Sequence, residues 1–353
     1  GQQEHPGAGP ELLPLERVDA VVEHHPDACR HCGTLLEGED PEPLRHQLIE
    51  IPPITPLVIE HRLHRLVCPC CSRRTCATLP ADVEPSHYGP RLSGLVGLLG
   101  SSFPLSFRKT QALLHQLVGV EISCSAIAAI RERLSAALAQ PMAEALQVAR
   151  QQPVAYVDET GAPTGNADGG NPSGKRGWQW VMVTPMVTVF QQGLSRSAAA
   201  AIELLGHAFG GIVVSDRFSA YNHLPTQQRQ LCWAHLIRDL VSIAERAGAS
   251  AEVGAELLDL QRQLFDHWHY YKDGTIDWST LQQSCGPIRQ AFVGTLQRVV
   301  ELGCQRGERT PWVRTVRTCR QLLQRSDALW TFLETPGVEP TNNAAERALR
   351  QSV

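Results

Sequence analysis

The chain has 353 residues, 42% of them hydrophobic and 19% charged, with a formal net charge of −4 at pH 7. That length suits two or three domains, and the absence of any run of about 18 apolar residues excludes a membrane-spanning helix. The slightly acidic total excludes a uniformly basic nucleic-acid coat and leaves local patches to serve that purpose.

Residues 1–22 read as a flexible lead, polar and proline-rich, with no secretory signal. The chain lacks an initiator Met, and both ends read as truncated. Residues 23–82 form a cysteine module. Six of the eleven cysteines fall between Cys29 and Cys76. Clustering in CxxC pairs without a signal peptide points to a reduced compartment and a metal rather than disulfides. CRHC (Cys29, Cys32) and CPCC (Cys68, Cys71) would give one structural zinc four thiolates, since a CxxC turn presents two sulfurs to one ion. Reduced core cysteines are the alternative. The intervening HQLIEIPPITPLVIEHRLHRLVC reads as two strands broken at Pro52–Pro53, a hairpin that brings the knuckles together. Arg62, Arg65, Arg73 and Arg74 make the second knuckle basic and suited to DNA contact.

Residues 83–150 are helical by periodicity. Within them, 104–134 divides into a helix, a turn at Val118–Gly119–Val120 and a second helix opening near Ser123. That is helix-turn-helix spacing, with Ser125, Ala128 and Arg131 near one face. A core or dimerisation helix pair fits the same pattern.

Residues 151–240 alternate strand-like and helix-like runs, as in an α/β sheet core. The strand Val154–Val157 ends in Asp158 and Glu159, and a second, Ile212–Val214, ends near Asp216. A carboxylate at the end of a buried strand is costly unless it is paired or binds a cation; a cap or turn carboxylate is the plainer reading of each. If the first strand persists, Glu159 points away from Asp158. Between them, GWQWVMVTPMVTVFQQG reads as a hairpin and RSAAAAIELLG as a helix. Magnesium takes hard oxygen ligands, and two such ions about 4 Å apart activate an attacking oxygen and stabilise a leaving one on phosphorus.

Residues 241–335 read as mostly helical. Arg298, Arg306, Arg309, Arg314, Arg317, Arg320 and Arg325 face only Glu301 and Glu308 in that stretch, which fits either a phosphate-facing surface or a solvated helical face. Residues 336–353 close on the helix NNAAERALR, with Asn342 or Asn343 as cap and Glu346 as a third carboxylate to join Asp158 and Asp216.

YVDETG, VVSDRFSAYN, CWAHLIRDL and NNAAERALR in this order, behind CRHC…CPCC, resemble the transposases of the insertion sequence 66 family, over about residues 25–353. The resemblance implies an RNase H-like catalytic core interrupted by a helical insertion, behind the zinc-binding module and the helix-turn-helix-like segment. It implies a DDE triad of Asp158, Asp216 and Glu346 holding two Mg²⁺ or Mn²⁺ ions, with structural Zn²⁺ on the knuckle cysteines. Cys232 and His235 match a Cys-x-x-His element that braces the active site, with core packing as the equal alternative. Arg347 and Arg350 face DNA phosphates or the core. The implied activity is metal-dependent cleavage at transposon ends and strand transfer into target DNA. The implied partners are DNA, further copies of the chain on DNA and accessory proteins of the element, in a bacterial cytoplasmic, nucleoid-associated setting. A resolvase-like nuclease on the same fold and a non-catalytic DNA-binding derivative are the alternatives. The family usually has Asp where Thr341 stands, and it continues beyond Val353 into a basic tail.

Overall fold

The computed structural model describes residues 12–166 and 169–350. Residues 1–11 of the expected lead lie outside the described residues, as does the end of the chain from 351.

Both CxxC segments fold into the same turn. The Cys29 N–H donates to the Thr34 carbonyl and the Gly33 N–H to that of Cys29; the Cys68 N–H donates to Arg73 and the Ser72 N–H to Cys68. Gly33 and Ser72 hold equivalent places, both with left-handed φ, 73° and 56°. Glycine adopts that conformation at no steric cost, so Ser72 is the strained member of the pair. Strand β1 (Arg65–Val67) enters the second knuckle and β2 (Arg74–Cys76) leaves it, antiparallel. The two strands expected on either side of Pro52–Pro53 do not form. Residues 47–64 carry no ladder, and Ile49, Leu57 and Val58 are 80%, 86% and 87% exposed. Pro52, Pro53 and Pro56 have no N–H to donate, which excludes them from a paired strand interior. The hairpin therefore spans one knuckle instead of joining two, and no three knuckle thiols lie within 4.8 Å of one another.

Helices α1 (Pro90–Ser101), α2 (Phe107–Leu113) and α3 (Cys124–Arg150) enclose a small core of Val96, Leu99, Leu114, Ile127 and Ile130. The chain turns between α2 and α3 at Gly119, φ 68°, and the Ser123 hydroxyl caps α3 by accepting the Ala126 N–H.

A five-stranded mixed sheet follows. It comprises β3 (Val154–Ala162), β4 (Gly177–Val183), β5 (Thr188–Gly193), β6 (Ile212–Ser215) and β7 (Arg229–Leu231), with α4 (Ala198–Leu205) between β5 and β6. The order is β5-β4-β3-β6-β7. The β3–β4 and β4–β5 pairs are antiparallel, whereas β3–β6 and β6–β7 are parallel. Alternate residues feed opposite faces: Val154 and Tyr156 pack into one core, Ala155 and Val157 into the other.

Among the described residues, six α-helices follow: α5 (Trp233–Ala244), α6 (Ala249–Lys272), α7 (Trp278–Leu302), α8 (Pro311–Leu323), the short α9 (Thr331–Glu334) and α10 (Asn343–Arg350). The apolar stripes of α5 to α8 share one core with the Tyr156 face of the sheet. Trp233 joins them. Its ring lies 5.3 Å from Trp330 and 5.5 Å from Phe292, and its Nε1–H donates to the Leu329 carbonyl at 2.8 Å. No helix among the described residues is long and apolar enough to cross a membrane.

Candidate active site

The first sheet strand does not stop at its carboxylates. Strand β3 continues to Ala162 because β4 pairs with it from Tyr156 to Ala162, so Asp158 and Glu159 sit in mid-strand. On the other side, β6 pairs only with Val154 to Tyr156. The gap beyond Tyr156 leaves Asp158 at the edge of a cleft between two strands. The parallel register sets Tyr156 beside Val214; carried on two residues, it sets Asp158 beside Asp216, on the same face. Asp216 is held there by its own turn, in which its Oδ1 accepts the Phe218 N–H at 2.8 Å.

Glu346 arrives from 130 residues further on, on α10, which packs on β3 and β4. Four hydrogen bonds fasten the segment before it. The Glu339 N–H donates to the Tyr156 hydroxyl at 3.1 Å and the Trp233 N–H to the Pro340 carbonyl at 2.9 Å. The buried Asn342 donates its N–H to Cys232 Sγ at 3.2 Å and its side-chain amide to the Val157 carbonyl at 2.9 Å. Asn342 also accepts the Glu346 N–H at 3.2 Å, so it opens α10 through its backbone while its side chain reaches the sheet.

The electrostatics follow the same arrangement. Burial, then the neighbouring Glu159, push the Asp158 carboxyl up to about 7; the Glu159 N–H opposes this, and the charges of Asp216 and Glu346 add to it. Among the described residues, however, the tightest donor set is a different one: Cys232, His235 and Glu346 have ligand atoms all within 4.8 Å of one another. Asp158, Asp216 and Glu346 thus share one electrostatic field without closing to that distance.

Glu159 has the opposite surroundings. It faces the Val157 core, where its Oε1 accepts Nε and an Nη of Arg196 at 2.9 and 2.7 Å and its Oε2 accepts the Tyr221 hydroxyl at 2.6 Å. Burial raises its pKa while Tyr221 and Arg196 pull it back. The Arg196 guanidinium lies 4.0 Å from the Phe218 ring centre. Glu159 is a satisfied structural carboxylate.

The arginines divide. Arg131 turns inward, donating to the Leu105 carbonyl and the Thr110 hydroxyl at 3.0 Å each and lying 4.8 Å from the Phe107 ring. It ties the helical pair together through one Nη. Arg62 pairs with Glu60 at 2.6 Å, and Arg298 with Glu256. Arg65, Arg73, Arg74, Arg306, Arg309, Arg314, Arg317, Arg320, Arg347 and Arg350 are exposed. On α8, Thr315, Val316, Cys319 and Leu322 face the core, so Arg314, Arg317 and Arg320 form a ladder on the outer side.

Sequence reasoning passed over the Asn342 side chain and Arg229. Arg229 is 2% exposed and donates to the Asp216 carbonyl at 3.1 Å, bracing the Asp216 turn from β7. Burial, then Arg325, pull its pKa down to about 10. Its strand, Arg-Gln-Leu, has no apolar alternation that would have marked it.

Comparison with known proteins gives two family matches. The model described as "Transposase IS66 family" matches residues 86–353, and the one described as "zinc-finger binding domain of transposase IS66" matches residues 26–72, which contain both knuckles. The chain is also similar to "Uncharacterized protein y4qI" of Sinorhizobium fredii (strain NBRC 101917 / NGR234), with 25% identity over 364 residues, 95% of this chain and 64% of that protein. The chain therefore spans a little under two thirds of the length of this curated relative.

Proposed function

The chain belongs to the IS66 transposase family, and from that premise we propose that it is a DNA transposase whose Asp158, Asp216 and Glu346 form a DDE active site for end cleavage and strand transfer. Family membership carries the coarser reading, a DNA-binding transposase with a zinc-finger domain. The finer reading rests chiefly on Asp158. Burial, then the neighbouring carboxylates, disfavour the charged form of Asp158 and push it up to about 7, a penalty that either a proton or a bound cation relieves. An all-oxygen donor set fits Mg²⁺ or Mn²⁺. The strand order, three antiparallel strands followed by two parallel ones, supports an RNase H-like core.

Bound at these carboxylates, two divalent ions would activate the attacking oxygen and stabilise the leaving oxygen at phosphorus. The chain's own residues do the positioning. Asp158 and Asp216 stand side by side where β3 and β6 part. The 339–342 stitches hold α10 so that Glu346 faces them. Arg229 fixes the Asp216 turn. The outer arginines of α8, with Arg306, Arg309, Arg347 and Arg350, supply phosphate contacts that orient DNA without reading bases. The exposed Arg65, Arg73 and Arg74 do the same around the second knuckle. DNA ends and target are the proposed partners, with further copies of the chain assembling on paired ends.

The test is direct. Asp158→Asn, Asp216→Asn and Glu346→Gln should each retain binding to end DNA and lose cleavage and joining of a labelled 3′-OH end. Wild-type cleavage in any one of them refutes the triad. Cleavage without joining in the parent protein would favour a resolvase-like nuclease.

A further inference from the structure

We propose that Cys232, His235 and Glu346 form a second zinc site, separate from the knuckles. The three come from the start of α5 and from α10, and their sulfur, nitrogen and oxygen ligand atoms lie within 4.8 Å of one another. Cys232 and His235 are three apart at a helix N-terminus, so both face one way.

Two of these atoms are buried with nothing to bond. His235 Nδ1 and Glu346 Oε1 have no hydrogen-bond partner. They stand 3.6 Å apart, too far for a hydrogen bond to join them. That separation does suit two ligands of one ion: zinc bonds of about 2.0–2.1 Å in a tetrahedron put ligand atoms roughly 3.4 Å apart. A zinc ion there satisfies both orphaned atoms at once.

The donor chemistry selects the ion. Thiolate and imidazole suit zinc, whereas magnesium prefers oxygen throughout. One thiolate, one neutral imidazole and one carboxylate neutralise a dication, which a partly buried site favours. The Asn342 N–H reaches Cys232 Sγ at 3.2 Å, an outer contact that orients the sulfur. Three protein ligands leave a fourth position open. The ion fastens α10 to α5 and engages one oxygen of Glu346. This site stands on local geometry and does not depend on the transposase reading.

Zinc stoichiometry of the full chain, measured by mass spectrometry after dialysis in excess magnesium, tests it. The parent protein should hold two equivalents. The double variant Cys29→Ser/Cys32→Ser should keep one, and His235→Gln added to that background should hold none. His235 is partly exposed, so far-UV circular dichroism should show the variant folded. With cobalt replacing zinc in the double variant, a sulfur-to-cobalt charge-transfer band should appear and should vanish with His235→Gln. A double variant without zinc, or one whose single zinc survives both His235→Gln and Glu346→Gln, overturns the proposal. Glu346 is shared with the proposed triad, but the readout here is bound zinc and not cleavage, so failure here is distinguishable from failure of the catalytic triad.

Discussion

The side-chain amide of Asn342 donates to the main-chain carbonyl of Val157 at 2.9 Å, across 185 residues of chain. Val157 precedes Asp158 and Asn342 opens the helix that carries Glu346, so this bond sets the distance between two of the three carboxylates. Asn342→Leu leaves the Val157 carbonyl buried and unpaired, at a cost of about 1–3 kcal/mol. We expect a lower unfolding midpoint and a loss of cleavage out of proportion to it. Denaturant melts together with end-cleavage rates check both, and unchanged cleavage would separate Asn342 from the site.

Asp158 gives the protein a pH signature. Its folded pKa is raised to about 7 from 3.8, chiefly by burial. Between those values the folded state binds a proton that the unfolded state lacks, so stability falls as pH rises from about 4 to 7 and then levels. In magnesium-free buffer, Asp158→Asn should therefore melt higher than the parent at pH 8, with the gain shrinking toward pH 4. Magnesium should narrow the gap at pH 8 by stabilising the parent alone. A pH-independent difference contradicts this reading.

Glu159 should behave unlike its neighbour. Glu159→Ala strands Arg196 and the buried Tyr221 hydroxyl and should cost about 2–3 kcal/mol, discounted because Arg196 is partly exposed. Manganese affinity, read by calorimetry below the melting range, should change little. A mutant that loses manganese but keeps its stability would move Glu159 into the metal site.

The arginine ladder on α8 predicts a salt effect. Replacing Arg314, Arg317 and Arg320 by Gln should weaken DNA binding similarly across sequences. It should also flatten the slope of log affinity against log salt by roughly 0.9 for each phosphate that is no longer neutralised. An unchanged slope in fluorescence-anisotropy titrations would assign DNA to another face.

The sequence was informative where a local rule decides the outcome. The CxxC turns, the Gly119 turn with its Ser123 cap and the carboxylates on buried strands are all written in neighbouring residues. Distant pairing is not. Strand β3 outruns its apolar residues because β4 pairs with it. Strand β7 reads as polar because Arg229 and Gln230 are buried for their hydrogen bonds, with Gln230 bridging Leu329 and Phe332. Residues 47–64 read as two strands yet carry no ladder, because Pro52, Pro53 and Pro56 lack the N–H that pairing needs. Arg131 lies on the helix face expected to meet DNA, and one of its Nη atoms also donates to Leu105 and Thr110, partners that its local spacing does not announce. The Cys232–His235–Glu346 cluster was visible only as a Cys-x-x-His pair, because its third member lies over a hundred residues away.

Asp158, Asp216 and Glu346 are proposed to converge on divalent ions, and anomalous diffraction from crystals soaked in manganese would locate those ions. Manganese is expected about 2.0–2.3 Å from carboxylate oxygens of Asp158 and Asp216, with Glu346 completing the set. Crystals saturated with manganese that show no peak between β3 and β6, or a Glu346 carboxylate remaining about 10 Å or more from the other two, would contradict it.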